Sequence, residues 1–179
     1  MTLSPITQRS PESLASDFFQ KSVGWWQSQR RYYSLKQEGE PEEVVSLLEI
    51  KFLEKACPEL IKLAAAHQLD DSEIFSFGTH VSWESTYIKQ TRKPAKGSTI
   101  FGVSGNILYR DRGFATSKPV TASYKFTNEQ TLCLRTEYSG SVFEEELKLI
   151  SGLYRTRQTI ISRAGEEQVI GQYLEKRMA

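Results

Sequence analysis

The feature that most constrains this chain is the punctuation of its C-terminal half. Runs rich in β-branched and aromatic residues (98–103, 107–110, 120–126, 131–138, 142–150, 154–163 and 168–175) are set off by Gly- or Asn-bearing connections. These include Ser104-Gly105-Asn106, Asn128-Glu129, Ser139-Gly140, Ser151-Gly152 and Ala164-Gly165. Connections this short make antiparallel hairpins and leave no room for crossover helices. Residues 25–35, 44–53 and 79–89 carry the same period-two pattern. Roughly ten strands in an up-and-down meander predict an all-β, closed barrel, because closure removes the edges that an open sheet of that size exposes. Two helices interrupt the pattern. Ser10-Pro11-Glu12 has the chemistry of a helix start and predicts a helix over 11–22 with Leu14, Phe18 and Phe19 as its apolar stripe. Residues 58–69, with Leu60, Ile61, Leu63 and Ala64, predict a second short helix broken by Asp70-Asp71.

A chain of 179 residues suits one domain over 1–179, and a barrel of this size has room for one small ligand. With 23 Lys and Arg against 22 Asp and Glu, the net charge of +1 supplies no global field for nucleic acid or an anionic membrane. No apolar run reaches bilayer-spanning length, and residues 1–10 lack the order of a secretory signal. The expected location is therefore the cytosol, without membrane insertion. Cys57 and Cys133 are the only thiols and His67 and His80 the only imidazoles, so neither a disulfide framework nor a metal site is expected. Nucleophile elbows and phosphate-cradling loops are absent; Gly97, Gly102 and Gly105 lack both the spacing and a following helix.

Alternation along each strand assigns candidate interior residues. Trp26, Ser28, Arg30 and Tyr32 share one face of the first strand, and Trp25, Gln27, Gln29 and Arg31 the other. Gly24-Trp25-Trp26 matches the Gly-x-Trp signature of calycin barrels, in which the Trp closes the floor. Arg30, on the face of that core Trp, is either a stacked structural plug or a partner for a ligand carboxylate. Trp83 shares its face with Val81 and Tyr87 and serves either as core packing or as the lining of a site for a flat π-system. Farther on, Phe143, Glu145, Leu147 and Leu149 form an apolar face on which Glu145 is the odd acid. The register of the next hairpin decides where Arg155 and Arg157 point. A two-residue turn, Ser151-Gly152, puts both on the outer face with Glu146 and Lys148. A three-residue loop that includes Leu153 pairs Ile150 with Tyr154 and turns both arginines to the side of Glu145.

Four segments carry a resemblance: Gly24-Trp25-Trp26-Gln27-Ser28-Gln29-Arg30-Arg31-Tyr32-Tyr33, Leu108-Tyr109-Arg110-Asp111-Arg112-Gly113-Phe114, Leu134-Arg135-Thr136-Glu137-Tyr138 and Tyr154-Arg155-Thr156-Arg157-Gln158-Thr159-Ile160. In this order they resemble the S-type phycobiliprotein lyases (CpcS/CpeS), and the likeness runs over nearly the whole chain. It implies a ten-stranded calycin-like, fatty-acid-binding-protein-like barrel that holds an open-chain tetrapyrrole. Such a lyase passes the bilin, phycocyanobilin in the nearest relatives, to the central cysteine of apo-phycocyanin β or allophycocyanin subunits. The bilin is then substrate and no separate cofactor is implied. The cysteine nucleophile belongs to the acceptor, and the setting is the cyanobacterial cytosol or plastid stroma. The resemblance favours the inward register. It implies Glu145 and Arg155 as the residues of the chemistry, facing one another, with Arg30, Arg157 and Trp83, backed by Trp26, as further bilin contacts. A non-catalytic carrier of a bilin, fatty acid or other carboxylated hydrophobe is the alternative, as is a silent subunit that works only with a partner lyase. Self-association into a homodimer is left open.

Overall fold

The computed structural model describes residues 8–89 and 93–179. Most of the stretch read above for a targeting signal, residues 1–7, lies outside the described residues. A first helix, α1 (Pro11–Ser22), leads into β1 (Gly24–Ser34) and β2 (Glu42–Glu54), and a second helix, α2 (Pro58–Ala66), separates these from the rest. Then come β3 (Phe77–Tyr87), β4 (Ala95–Ser104), β5 (Ile107–Arg110), β6 (Val120–Asn128), β7 (Thr131–Tyr138), β8 (Ser141–Leu149), β9 (Tyr154–Arg163) and β10 (Glu166–Arg177). All ten strands pair with their sequence neighbours, and β10 returns to β1, so the sheet is a closed antiparallel barrel.

Local chemistry explains the elements. Ser10 caps α1: its hydroxyl accepts from the Ser13 N–H at 3.2 Å, and Pro11 occupies the first helical turn, where a missing N–H costs nothing. The buried stripe Ala15, Phe18 and Phe19 packs against Phe77, Val103, Leu108, Ala122, Tyr124 and Leu132, so α1 plugs the end of the barrel at which β1 begins. α2 stops at Ala66, short of the residue 69 expected from sequence. Gln68 takes a left-handed φ of 55°, and the Leu69 N–H turns back to the Ala64 carbonyl at 3.0 Å, which ends the spiral. Leu60, Leu63 and Ala64 pack with Leu53, Phe75 and the outward residues Ile100 and Tyr109, so α2 lies on the outside of the sheet.

Two hairpins follow the expected turn chemistry. Ser139-Gly140 and Ala164-Gly165 each join directly paired residues, with positive φ at all four positions (51°, 75°, 52° and 80°). These are the mirror-image turns that match strand twist, and Gly serves the second position without steric cost. The β8–β9 connection is different. Leu149 pairs with Arg155, and the Ile150 N–H donates to the Tyr154 carbonyl at 3.0 Å, leaving Ser151, Gly152 and Leu153 as a three-residue loop. Of the two registers open to the sequence, this one turns Arg155 and Arg157 inward.

Trp26 anchors the floor and is fully buried. Its indole N–H donates to the Ser22 carbonyl at 2.8 Å, which fixes the corner between α1 and β1. The Arg177 guanidinium lies 4.3 Å from the Trp26 ring centre and donates to the carbonyls of Val23, Lys21 and Gly152. One side chain thus ties the last strand to the end of α1 and to the β8–β9 loop.

Candidate ligand site

Inside the barrel, above α1, lies a cavity of about 230 Å³. Phe18, Phe19 and Ser22 line its base, Leu48, Ile50, Val81 and Trp83 one wall, and Leu132, Leu134 and Leu147 the facing wall. The Trp83 ring packs against Gly97 of the neighbouring strand, where an added Cβ would come within 2.5 Å of it, so glycine there leaves the ring its room. The charged groups are concentrated where β8, β9, β10 and β1 run side by side.

Strand register stacks these groups in two rows. In the lower row Ser28, Glu175 and Arg155 sit opposite one another on β1, β10 and β9. Arg155 Nε and Nη2 both bond to Glu175 Oε1 at 2.8 Å, the Glu175 residue being 0% and Arg155 5% exposed. Burial pushes the Glu175 carboxyl upward, but Arg155, Arg157 and Ser28 outweigh it and hold the group below the ordinary carboxylate range. In the upper row Arg30, Tyr173 and Arg157 are aligned on β1, β10 and β9. Tyr173 has a guanidinium over its ring from each side, Arg30 at 5.1 Å and Arg157 at 5.0 Å. Burial pushes the Tyr173 hydroxyl up to about 12. Arg157 Nη2 reaches diagonally to Glu145 Oε2 at 2.5 Å. Burial opposes the Arg157 charge, but Glu145, Tyr173 and Glu175 overcome it, so this guanidinium stays protonated more firmly than usual.

The cavity therefore brings together Glu145, Arg155, Arg157, Arg30 and Trp83 of the residues singled out from sequence. Two expectations are corrected. Glu145 faces Arg157 rather than Arg155, because antiparallel pairing puts Glu145 opposite Thr159 and leaves Arg157 as its diagonal neighbour, while Arg155 lies a further step down and meets Glu175. Trp26 does not line the cavity, because Arg155 and Arg177 lie against its ring, at 5.2 Å and 4.3 Å. Sequence reasoning missed Glu175, Tyr173 and Arg110. The signal was available: Tyr173 and Glu175 alternate on one face of β10, and Arg110 follows Leu108 on one face of β5, acid or guanidinium beside apolar just as for Glu145.

A family model described as CpeS-like protein matches residues 15–178. The chain belongs to the CpeS-like family. It is 60% identical over 177 residues, 99% of this chain and 98% of the relative, to a proposed phycocyanobilin lyase, CpcS 2, of Nostoc sp. PCC 7120. A proposed chromophore lyase, CpcV, of Picosynechococcus sp. PCC 7002 is 48% identical over 93% of this chain and 82% of its own length. Among solved structures, the S-type phycobiliprotein lyase CPES from Guillardia theta superposes with a TM-score of 0.78 over 96% of this chain and 94% of its own, at 22% identity. At that identity the superposition speaks for the fold, and the fold agrees: this CpeS-like chain has the closed calycin-type barrel with its helices at one end and on one flank.

Proposed function

We propose that this CpeS-like protein is a bilin lyase. It binds an open-chain tetrapyrrole, phycocyanobilin by kinship with its 60%-identical relative, in the barrel and directs its thioether attachment to a cysteine of an apo-phycobiliprotein subunit. The observation that carries this reading is the pair of buried Glu145 with half-buried Arg157 on the wall of an apolar cavity that also holds Trp83. A fatty acid needs cations but no acid beside them, whereas a bilin offers pyrrole N–H donors to a carboxylate and two propionates to guanidiniums.

In the proposed complex Glu145 accepts from the pyrrole N–H groups, Arg155, Arg157 and Arg30 supply donors, and Trp83 gives a flat apolar surface to the conjugated system. The covalent step is addition of the acceptor's thiol across the exocyclic double bond of ring A. Sulfur bonds to one carbon and the thiol proton ends on the other, with nothing oxidised or lost. The lyase contributes by fixing bilin conformation and presenting one face of that double bond. Its own thiols suit this division of labour, since burial pushes both Cys57 and Cys133 above the ordinary thiol range and so away from the reactive thiolate.

The test mixes the purified protein with phycocyanobilin and apo-phycocyanin β subunit and follows covalent adduct by absorbance and mass. A faster reaction with a single product at the central cysteine is expected. The same rate and product mixture as spontaneous attachment would remove lyase activity and leave a carrier.

A further inference from the structure

Four guanidiniums are at least partly buried in the cavity wall: Arg30, Arg110, Arg155 and Arg157; Arg112 also lines it but is exposed. Arg155 and Arg157 are already neutralised by Glu175 and Glu145. Arg110 is not. Only 8% of the residue is exposed, no carboxylate among the described residues lies within ion-pair distance, and its Nε has no hydrogen-bond partner. The neighbouring acid is used elsewhere: Asp111 Oδ1 accepts from the Thr99 hydroxyl at 2.7 Å and from the Ile100 N–H at 3.1 Å. The guanidinium is held between Phe101 and Phe114, 4.8 Å and 4.6 Å from their ring centres. Phe114 is in turn stacked on Phe143 at 4.5 Å. Aromatic faces attract a cation but accept few of its five N–H donors, which lie in the guanidinium plane.

A buried, positioned and unpaired guanidinium is costly to a folded chain and is the group best shaped to take a carboxylate in bidentate fashion. We propose that Arg110 is a carboxylate-binding residue of the cavity and pairs with a propionate of the bound tetrapyrrole. The inference rests on the bilin reading above and assigns to β5 a contact that the sequence placed only on β1 and β9. Burial lowers the Arg110 pKa, the direction expected of a cation awaiting its counter-ion, while arginine remains charged at neutral pH. Ligand binding would then bring a carboxylate within ion-pair distance of this guanidinium.

The experiment titrates wild type, Arg110→Gln and Arg110→Lys with phycocyanobilin and with its dimethyl ester, following bilin absorbance. Wild type is expected to prefer the free acid by tenfold or more. Arg110→Gln should weaken binding of the acid at least tenfold yet change binding of the ester less than twofold, and Arg110→Lys should recover part of the acid preference. Equal weakening of acid and ester, or no weakening of either, would overturn the pairing while leaving the bilin site standing. A wild type that binds neither compound would instead overturn the bilin reading and the pairing with it. Near-ultraviolet circular dichroism checks the fold. If Arg110→Gln does not fold, Arg110→Met, which replaces the charge with an apolar chain of similar length, carries the same comparison.

Discussion

Glu175 and Arg155 form a buried ion pair, and at the scale of single residues such pairs are asymmetric: losing one partner strands the other. Glu175→Gln is therefore expected to cost about 3 kcal/mol of unfolding free energy, because Arg155 is left charged in an apolar floor against Trp26. The double variant Arg155→Met, Glu175→Leu should lose less than about 1 kcal/mol, since apolar packing replaces both charges. Urea denaturation of the two variants decides the matter; a double variant as weak as the single would mean that the pair itself, not the stranded charge, holds the floor. The same asymmetry explains what the sequence left hidden. Glu145 stood out because three acids in a row force at least one onto the apolar face, whereas Glu175 is an isolated acid near a strand end and Arg110 one cation among several. Only pairing across strands shows that one has a partner and the other does not. The mistaken match of Glu145 with Arg155 has the same origin: strand alternation says which face, and only register says which neighbour.

At the scale of elements, the hairpins were legible because their chemistry is local. Gly140 and Gly165 occupy positions that require positive φ, and the alternation on either side agrees with the turns. The β8–β9 loop was not legible in that way. Two- and three-residue closures are both sound chemistry for Ser151, Gly152 and Leu153, and the choice is made at a distance, by Leu149, Leu147 and Phe143 packing inward while Arg177 grips the Gly152 carbonyl at 2.8 Å. The C-terminus of α2 escaped for a related reason: Gln68 is not a residue type that announces a left-handed stop. One turn also retains a defect that can be tested. Ala164 holds φ at 52°, a region that costs a non-glycine residue energy but suits Asn, so Ala164→Asn should stabilise the protein by about 0.5–1 kcal/mol. Thermal melting measures it, with ligand binding unchanged because the turn projects from the barrel. A lower melting temperature would show that the turn differs from the mirror-image type.

For the whole molecule, the barrel has placed its strongest electrostatics indoors and its weak ones outdoors. Pairs such as Arg9–Asp17 and Lys36–Glu166 lie on the surface, where solvent and salt leave them little to contribute, whereas Arg155–Glu175 is shielded from both. Acid stability should therefore be governed from the inside. The Glu175 carboxyl titrates lower in the folded protein than in the unfolded chain, so the unfolded state takes up its proton first as pH falls. The stabilisation this provides is complete above the ordinary glutamate value of about 4.3 and is lost as pH drops through the lower folded-state value. Urea denaturation from pH 7 to pH 3 should show a steep decline beginning near pH 4 in wild type, and a shallower one in Glu175→Gln. The difference between the two curves should be nearly the same at 50 mM and 500 mM salt, because a Debye length governs exposed charges far more than a pair buried in the barrel wall. If salt collapses that difference, the acid limb belongs to the surface, and the buried pair is no longer what couples the stability of this barrel to pH.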